Sequence, residues 1–436
     1  VCDCGCLAQE ILLSIDGADA PALTNGAAGT KEQLALAFTS GNGDLDQALR
    51  AVYVDTDPAA RGGADLNERF LKSDLYPFTG EPTALDAQLL LPVFCASTTE
   101  RSANGFVQHQ QQPAIAAVGT ETVVAYASDE LQGGNFDVFV IPQTGDGCDD
   151  THVCSTSADC IAPATCDTSS GFCSPREQIS VTGVVPGASD PAVASGPSDL
   201  ALVTWTSGTE VLARLRQTGG TLTPATGPIS IASSASAARV AGDADGFLVV
   251  YQGVGQGDAD GIFMKTVDPT GLVGPEVRVN AVTSGLQDQP AIAMLGDGRS
   301  AVVWRSGGSI FFQRYDKSGV PVADDQKAPL DTTTTGTRAH PVIAASTSGA
   351  FFAAAWETTD DAGISARFIG ATSGFGYNSV SGQNDEFVAT HPAIAGQRHG
   401  PAITVGGAGF VAIGWSDDSP GHPGVYVRRF PLPQGI

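Results

Sequence analysis

The feature that most constrains this chain is an internal repeat. A segment reading Pro-Ala-Ile-Ala, or close to it, recurs along the sequence, and an aromatic residue follows 13 to 17 residues later. The instances run from PALT at Pro21 with Phe38, through PAIA at Pro113 with Tyr126 and PAVA at Pro191 with Trp205, to ARVA at Ala238 with Tyr251. PAIA at Pro290 with Trp304, PVIA at Pro341 with Trp356 and PAIT at Pro401 with Trp415 complete the set. The chain has four Trp, and all of them fall at this one position. A second HPAIA begins at His391, but the constant spacing to Trp415 favours Pro401 as the strand start. Periodic units of this kind bury their apolar faces against one another rather than alone.

Each unit continues alike. The aromatic ends an apolar run (VVAY, ALVTW, FLVVY), a Gly/Asp-rich loop follows, and a second run alternates (DVFVI, VLARLR, SIFFQRY). A last stretch such as EQISV or PEVRVN precedes the next Pro-Ala. Short β-rich runs between turn residues read as antiparallel strands. Four strands in about 50 residues make a propeller blade. Seven units therefore predict an all-β chain, a seven-bladed β-propeller of four-stranded antiparallel blades. The last unit stops after its third strand, and LAQEILLSIDGADAP before the first unit matches a fourth strand. An N-terminal strand at about Leu7–Ile15 is expected to complete the last blade and close the ring. The aromatic at one position of every blade is expected to pack between blades.

Residues 1–436 thus read as a single propeller domain. Two units are long, which marks insertions at 58–102 in the first blade and 147–175 in the second. Both are expected after a third strand, and so on one face. Gly 53 and Pro 26 fit many turns, and a hydrophobic share of 42% excludes a disordered chain. A net charge of −25 argues against nucleic acid and anionic membrane as partners. No apolar run is long enough for a transmembrane segment. The chain begins at Val1, so a segment upstream of it is expected.

Nine cysteines occur, at Cys2, Cys4, Cys6, Cys95, Cys148, Cys154, Cys160, Cys166 and Cys173. Five sit in a window poor in core-forming residues, where disulfides supply the stability that burial cannot. Zinc sites favour Cys-x2-Cys pairs, and none is present. The reading is a secreted, extracellular or cell-surface protein, with at least one cysteine left over for another chain or a free thiol.

The units and the window CSTSADCIAPATC resemble secreted bacterial seven-bladed β-propeller repeat proteins that carry a small disulfide-rich insert. The resemblance covers nearly the whole chain. It implies architecture and almost nothing about activity, since fold does not dictate function.

HExxH, GxSxG, phosphate-loop, CxxCH and sialidase Asp-box patterns are all missing, and no catalytic residue is singled out. Residues just before the innermost strands fall at the channel mouth: Asp19, Gln112, Asp190, Asp288, Gln289, Arg338, His340, Arg398 and His399. Of these, Asp190, Gln289, Arg338, His340, Arg398 and His399 are the candidate binding residues. His340 and His399 lead, because imidazole titrates near neutrality and ligates metal. A water-filled mouth is polar in any case. No cofactor is certain. Calcium suits the acidic loops holding Asp44 and Asp46, Asp360 and Asp361, or Asp417 and Asp418, and above all the GQGDADG loop with Asp258 and Asp260. Asp and Gly also simply favour tight turns.

The expected function is a non-enzymatic binding or scaffold module at the cell surface, with protein or glycan partners and self-assembly into a larger structure. One alternative is a glycan-active enzyme with its site at the funnel mouth. Another is a filament subunit linked through the N-terminal cysteines.

Overall fold

The computed structural model describes residues 11–12, 31–39, 48–55, 65–72, 94–95, 110–129, 135–144, 165–167, 172–174, 177–180, 187–323, 325–332, 336–359, 363–372, 374–375, 386–390, 397–406, 410–418 and 424–433. Among them the secondary structure is β apart from two one-turn 3-10 helices, Pro197–Asp199 and Asp325–Lys327.

The strands sort, in chain order, into antiparallel sheets. Sheet 1 holds Lys31–Thr39, Ala48–Asp55, Asp65–Lys72 and Phe94–Cys95. Sheet 2 holds Gln110–Val118, Glu121–Ser128, Asp137–Thr144 and Glu177–Gln178. Sheet 3 holds Ala188–Ser195, Leu200–Ser207 and Glu210–Gln217, edged by Leu222–Thr223 and Ile229–Ser233. Sheet 4 holds Ala235–Gly242, Phe247–Gly255, Asp258–Val267 and Val277–Arg278. Sheet 5 has three strands, Gln287–Met294, Ser300–Ser306 and Ser309–Tyr315. Sheet 6 holds Arg338–Ala345, Phe351–Thr358, Gly363–Gly370 and Phe387–Val388. Sheet 7 holds Arg398–Gly406, Phe410–Asp417 and Gly424–Pro431, with Ile11–Leu12 paired to Tyr426 and Val427.

First strands of consecutive sheets lie side by side, and the first strand of sheet 7 lies against that of sheet 1. This is a β-propeller. Six sheets carry four strands or more, so the seven four-stranded blades expected from the repeat become six. Sheet 5 differs for a local reason. After Tyr315 the chain turns on Asp316, whose Oδ1 accepts the N–H groups of Ser318 (2.8 Å) and Val320 (2.9 Å). Beyond the turn, Pro321 can donate no ladder hydrogen bond. The backbone N–H of Arg314 is then taken by a side chain, Asp325 Oδ2 at 2.7 Å, rather than by a strand. What returns to the third strand is Leu330, bonded to the Ile310 carbonyl, and Asp331, whose Oδ1 accepts the Ile310 N–H at 2.6 Å.

That last contact is a repeated device. Ser180, Asn280 and Thr390 likewise accept the backbone N–H of Val138, Ile262 and Ile364. Each follows a residue whose own N–H bonds the same third-strand carbonyl: Ile179, Val279 and Ala389. In these four sheets a polar side chain thus ends the outer ladder and keeps buried N–H groups paired.

Second strands are covered on both faces, which is why they read as unbroken apolar runs. Every residue of Glu121–Ser128 and of Phe410–Asp417 is buried. The repeated aromatics lie here. Trp205, Trp304, Trp356 and Trp415 are at most 2% exposed, so their role is packing. Four of the aromatics stack on a third-strand ring: Tyr126 on Phe139, Tyr251 on Phe263, Trp304 on Phe311 and Trp415 on Tyr426, at 5.8–6.3 Å.

The first unit is offset by one strand from the sequence expectation. Pro21 lies outside the described residues. Phe38 belongs to the first strand and meets Phe410 edge-on at 5.0 Å. Tyr53 takes the repeated aromatic position, 3% exposed, and ALRAVYV is the second strand rather than the third. The substitution of Leu34 for the usual Pro hides this register in the sequence. The third strand is Asp65–Lys72 and the fourth is Phe94–Cys95, both within the stretch 58–102. Sheet 7 packs on sheet 1 through Ala402, Phe410, Ala412, Leu34, Leu36 and Tyr53. Gly414 permits that approach, because a Cβ there would stand 2.4 Å from Leu34. Among the described residues no helix is long and apolar enough to cross a membrane.

Candidate active site

Every first strand opens with a β-bulge. The register shifts at Glu32/Ala35, Gln111/Ala114, Ser189/Ala192, Ser236/Arg239, Asp288/Ala291, Ala339/Val342 and His399/Ala402. The residue inside each bulge has positive φ: Gln33, Gln112, Asp190, Ala237, Gln289 and His340 at 48–57°, and Gly400 at 60°. Bulges re-aim side chains. Proline follows in five of the seven sheets, which suits an edge strand whose N–H would face the channel.

The re-aimed side chains join sheets. Gln33 accepts the Gln112 N–H. Gln112 accepts the Asp190 N–H at 2.9 Å and donates its own amide to Asp190 Oδ1 at 2.9 Å. Gln289 accepts the His340 N–H at 2.8 Å. Asp190 and Gln289, expected to bind ligand, are therefore engaged in linking neighbours.

Sheet 6 breaks the pattern. The His340 ring does not clamp sheet 7. Glu357, on the second strand, does so instead, with Oε1 accepting the Gly400 N–H at 2.6 Å. Its Oε2 holds His340 Nδ1 at 2.9 Å. The His340 side chain is 59% exposed and that of Glu357 15%, so a shielded carboxylate orients an open imidazole and leaves Nε2 for a ligand. Asp288 grips Arg305 through both carboxylate oxygens on the neighbouring sheet. His399 Nε2 meets Asp418 Oδ2 at 2.9 Å on sheet 7.

The hydrogen bond to Glu357 raises the His340 pKa. Burial opposes that rise, the Glu357 and Asp288 charges add to it, and Arg305 works against it. Burial alone would lift Glu357, but the His340 hydrogen bond, the Gly400 N–H and the charges of His340 and His399 hold its carboxyl below the usual range. The two opposed shifts favour the imidazolium–carboxylate form of the pair, and an imidazole so placed can give or take a proton.

Arg338 and Arg398 are placed differently from the expectation. Both are buried, Arg338 against Asp331 at 3.3 Å and Arg398 against Asp417 at 3.1 Å, behind the mouth rather than on it. Asp258 is buried too. It accepts hydrogen bonds from Asn280 Nδ2 (2.7 Å) and from the Asp260 N–H (3.1 Å), and Asp260 is exposed. Among the described residues no three His, Cys, Asp or Glu side chains converge as a metal cluster. Asp243 caps the turn between first and second strands, its Oδ1 accepting the N–H groups of Asp245 and Gly246. Asp19, Asp44, Asp46, Asp360 and Asp361 lie outside the described residues, as do Cys2, Cys4, Cys6, Cys148, Cys154 and Cys160. Cys95 pairs opposite Asn67, and Cys166 stands opposite Cys173 in the two-stranded pair.

Sequence reasoning missed Arg305, Glu357 and Ser416. Each directly follows the repeated aromatic, and each sits across from the bulge: Asp288 opposite Arg305, Ala339 opposite Glu357 and His399 opposite Ser416. The signal was there. That position is Val54 and Ala127 in sheets 1 and 2 but Thr206, Gln252, Arg305, Glu357 and Ser416 in the others. Arg239 was also passed over. It is exposed on a first strand where the other sheets have Ala35, Ala114, Ala192, Ala291, Val342 and Ala402.

No family model and no curated protein matches the chain. Solved structures do. The polysaccharide lyase Uly1 aligns with 97% of this chain and 93% of its own at 11% identity and TM-score 0.52. An α-L-arabinanase of Penicillium chrysogenum, complexed with arabinobiose, aligns with 73% of this chain and 92% of its own at 11% identity and TM-score 0.45. A sialidase of Trypanosoma rangeli aligns with 92% of this chain and 55% of its own at 7% identity and TM-score 0.47. At such identities the likeness is one of fold.

Proposed function

We propose that the protein is an extracellular carbohydrate-active enzyme whose site is the channel mouth of sheets 5 to 7. The observation that carries this reading is the His340–Glu357 pair, an exposed imidazole oriented by a shielded carboxylate beside Arg305 and His399. In this reading His340 is the general acid–base that moves a proton to or from the substrate, and Glu357 stabilises its charged form. Arg305, fixed by Asp288, offers its fork to a polar or anionic group of the sugar. The fold shared with a polysaccharide lyase over nearly the full length supports a glycan as the substrate class. Nothing in the fold or in its likenesses favours the scaffold or filament readings.

Several finer features belong to the same proposal. Sheet 5 is read as a seventh blade whose fourth strand is reduced to Leu330 and Asp331. The Ile11–Leu12 strand is read as the fourth strand of sheet 7, closing the ring. The facing Cys166 and Cys173 support a disulfide-stapled insert at 147–175, which fits an extracellular location.

The test is turnover by the purified full chain on alginate, polygalacturonate, arabinan and sialyllactose, following new reducing ends and unsaturated product. Cleavage of one of them, abolished in His340→Ala and reduced at least tenfold in Glu357→Gln with both variants folded, is the expected outcome. Turnover that survives His340→Ala unchanged overturns the assignment.

A further inference from the structure

Among the described residues of the first strands, two are exposed, His340 and Arg239. His340 belongs to the mouth described above. Arg239 lies two sheets away, in the middle of Ala235–Gly242 on sheet 4. It takes the position just after the bulge, which is Ala in five of the other sheets and Val in the sixth. A long cation thus stands on a wall that is otherwise small and apolar.

The fold leaves that cation one way to turn. Its strand pairs with Phe247–Gly255 on one edge and lies between the first strands of sheets 3 and 5. What remains open beside a mid-strand residue is the central channel. The charge is enclosed by protein even though its surface is wet. Burial lowers the Arg239 pKa, and the charge of Asp190 on sheet 3 offsets that only in part.

The guanidinium is also little used. Among the described residues its one hydrogen bond runs from Nη1 to the Ala238 carbonyl, at 2.8 Å. Arg216, Arg305 and Arg314 instead close on carboxylates. Asp190 does not do this for Arg239, and its Oδ1 is taken by Gln112 Nε2 at 2.9 Å. The Nε–Nη2 edge of Arg239, two parallel N–H donors, therefore has no partner among the described residues. Such a fork matches the paired oxygens of a carboxylate or sulfate. A charge enclosed by protein also attracts an anion more strongly than one in open water.

We infer that Arg239 makes the channel beside sheet 4 a binding site for an oxyanion, a carboxylate or sulfate group, either free in solution or carried on a sugar chain. The site stands apart from the His340–Glu357 pair and does not need the glycan reading. Where the anion is carried on a sugar, the site narrows the substrate of that reading to acidic glycans.

The full chain is titrated with sulfate, glucuronate and trigalacturonate by calorimetry, at constant ionic strength, with thermal unfolding alongside. Arg239→Ala copies the residue of five other sheets, and Arg239→Lys keeps the charge without the fork. The expected result is saturable binding of at least one probe by the unaltered chain, weakened about tenfold or more in Arg239→Ala and less in Arg239→Lys. Without probe, Arg239→Ala is expected to be as stable as the unaltered chain or more so, because an enclosed charge with no paired carboxylate is removed. A merely structural arginine would lower stability and leave affinity alone. Trigalacturonate bound more tightly than glucuronate marks a sugar-borne anion, and equal affinity marks a free one; either supports the site. Binding of none of the probes, or binding unchanged in Arg239→Ala, overturns it. Neither result bears on the His340 assignment, which is decided by turnover in His340→Ala. Should Arg239→Ala fail to fold, Arg239→Gln, which keeps most of the stem and removes the charge, decides by the same comparison.

Discussion

Glu357 accepts the backbone N–H of Gly400 at 2.6 Å, so a single carboxylate both ties sheet 6 to sheet 7 and aims the imidazole of His340. In the preceding sheet the same tie is made by a neutral amide, Gln289 on the His340 N–H. The charged version brings pH dependence with it.

The His340 pKa is raised from 6.5, so its stabilising contribution is complete below about that pH and is lost as pH rises through the folded-state value. The Glu357 pKa is lowered from 4.5, so its contribution is present above that pH and is lost as pH falls through the lowered value. Stability attributable to the pair therefore occupies the window between the two, from mildly acidic to neutral pH. NMR titration of the His340 ring in Glu357→Gln is expected to show its pKa falling. An unchanged titration would mean that Glu357 does not set it.

Sheets 2 and 3 are joined by a buried ion cluster. Arg216 is fully buried and donates to Glu121 at 2.6 Å and to both oxygens of Glu177 at 2.8 and 2.9 Å. Removing the cation strands two carboxylates. Arg216→Ala is expected to destabilise by about 3–5 kcal/mol in urea unfolding, whereas an exposed ion pair such as Arg299–Asp297 contributes less than about 1 kcal/mol.

Trp356 is fully buried, and its indole N–H has no hydrogen-bond partner among the described residues. Its contribution is packing alone. Trp356→Ala is expected to cost about 3–5 kcal/mol, and Trp356→Phe clearly less, since no hydrogen bond is lost with the ring nitrogen. Equal losses in the two variants would show that the N–H matters.

Cys166 and Cys173 face each other across a two-stranded antiparallel pair. Directly opposed residues lie about 4.5–5.5 Å apart at Cα, within disulfide range. Mass spectrometry of the non-reduced protein is expected to recover the two peptides linked, and Cys166→Ser to release Cys173 as a reactive thiol. Free thiols at both positions in the unaltered protein would remove this staple.

The fold was legible because the repeat records a packing constraint. A bulky ring must fill the same space in every sheet, so Trp205, Trp304, Trp356 and Trp415 mark their strands from the sequence alone. The first unit misled because Leu34 replaces the proline and Phe38 mimics the aromatic one strand early. Sheet 5 misled because Asp325 and Asp331 do with carboxylates what a strand does with backbone, and spacing does not register that exchange. The mouth was half legible. His340 and His399 were found by their position before the strand. Arg338 and Arg398 stand two residues before the bulge and turn inward to Asp331 and Asp417, whereas His340 lies in the bulge itself, which re-aims its side chain. Glu357, Arg305 and Ser416 went unseen because attention to the aromatic passed over the residue after it.

The bulge has a wider consequence. Its backbone shape recurs with Gln, Asp, Ala, His and Gly, so the surrounding sheet holds the bulge whatever side chain it carries. The rim therefore behaves like a row of sockets of common design, in which one fitting can be exchanged for another while the frame stays put. Sheets 1 to 3 use the sockets as fasteners. At sheets 6 and 7 one fitting is an imidazole and the next is a glycine, on the same backbone frame.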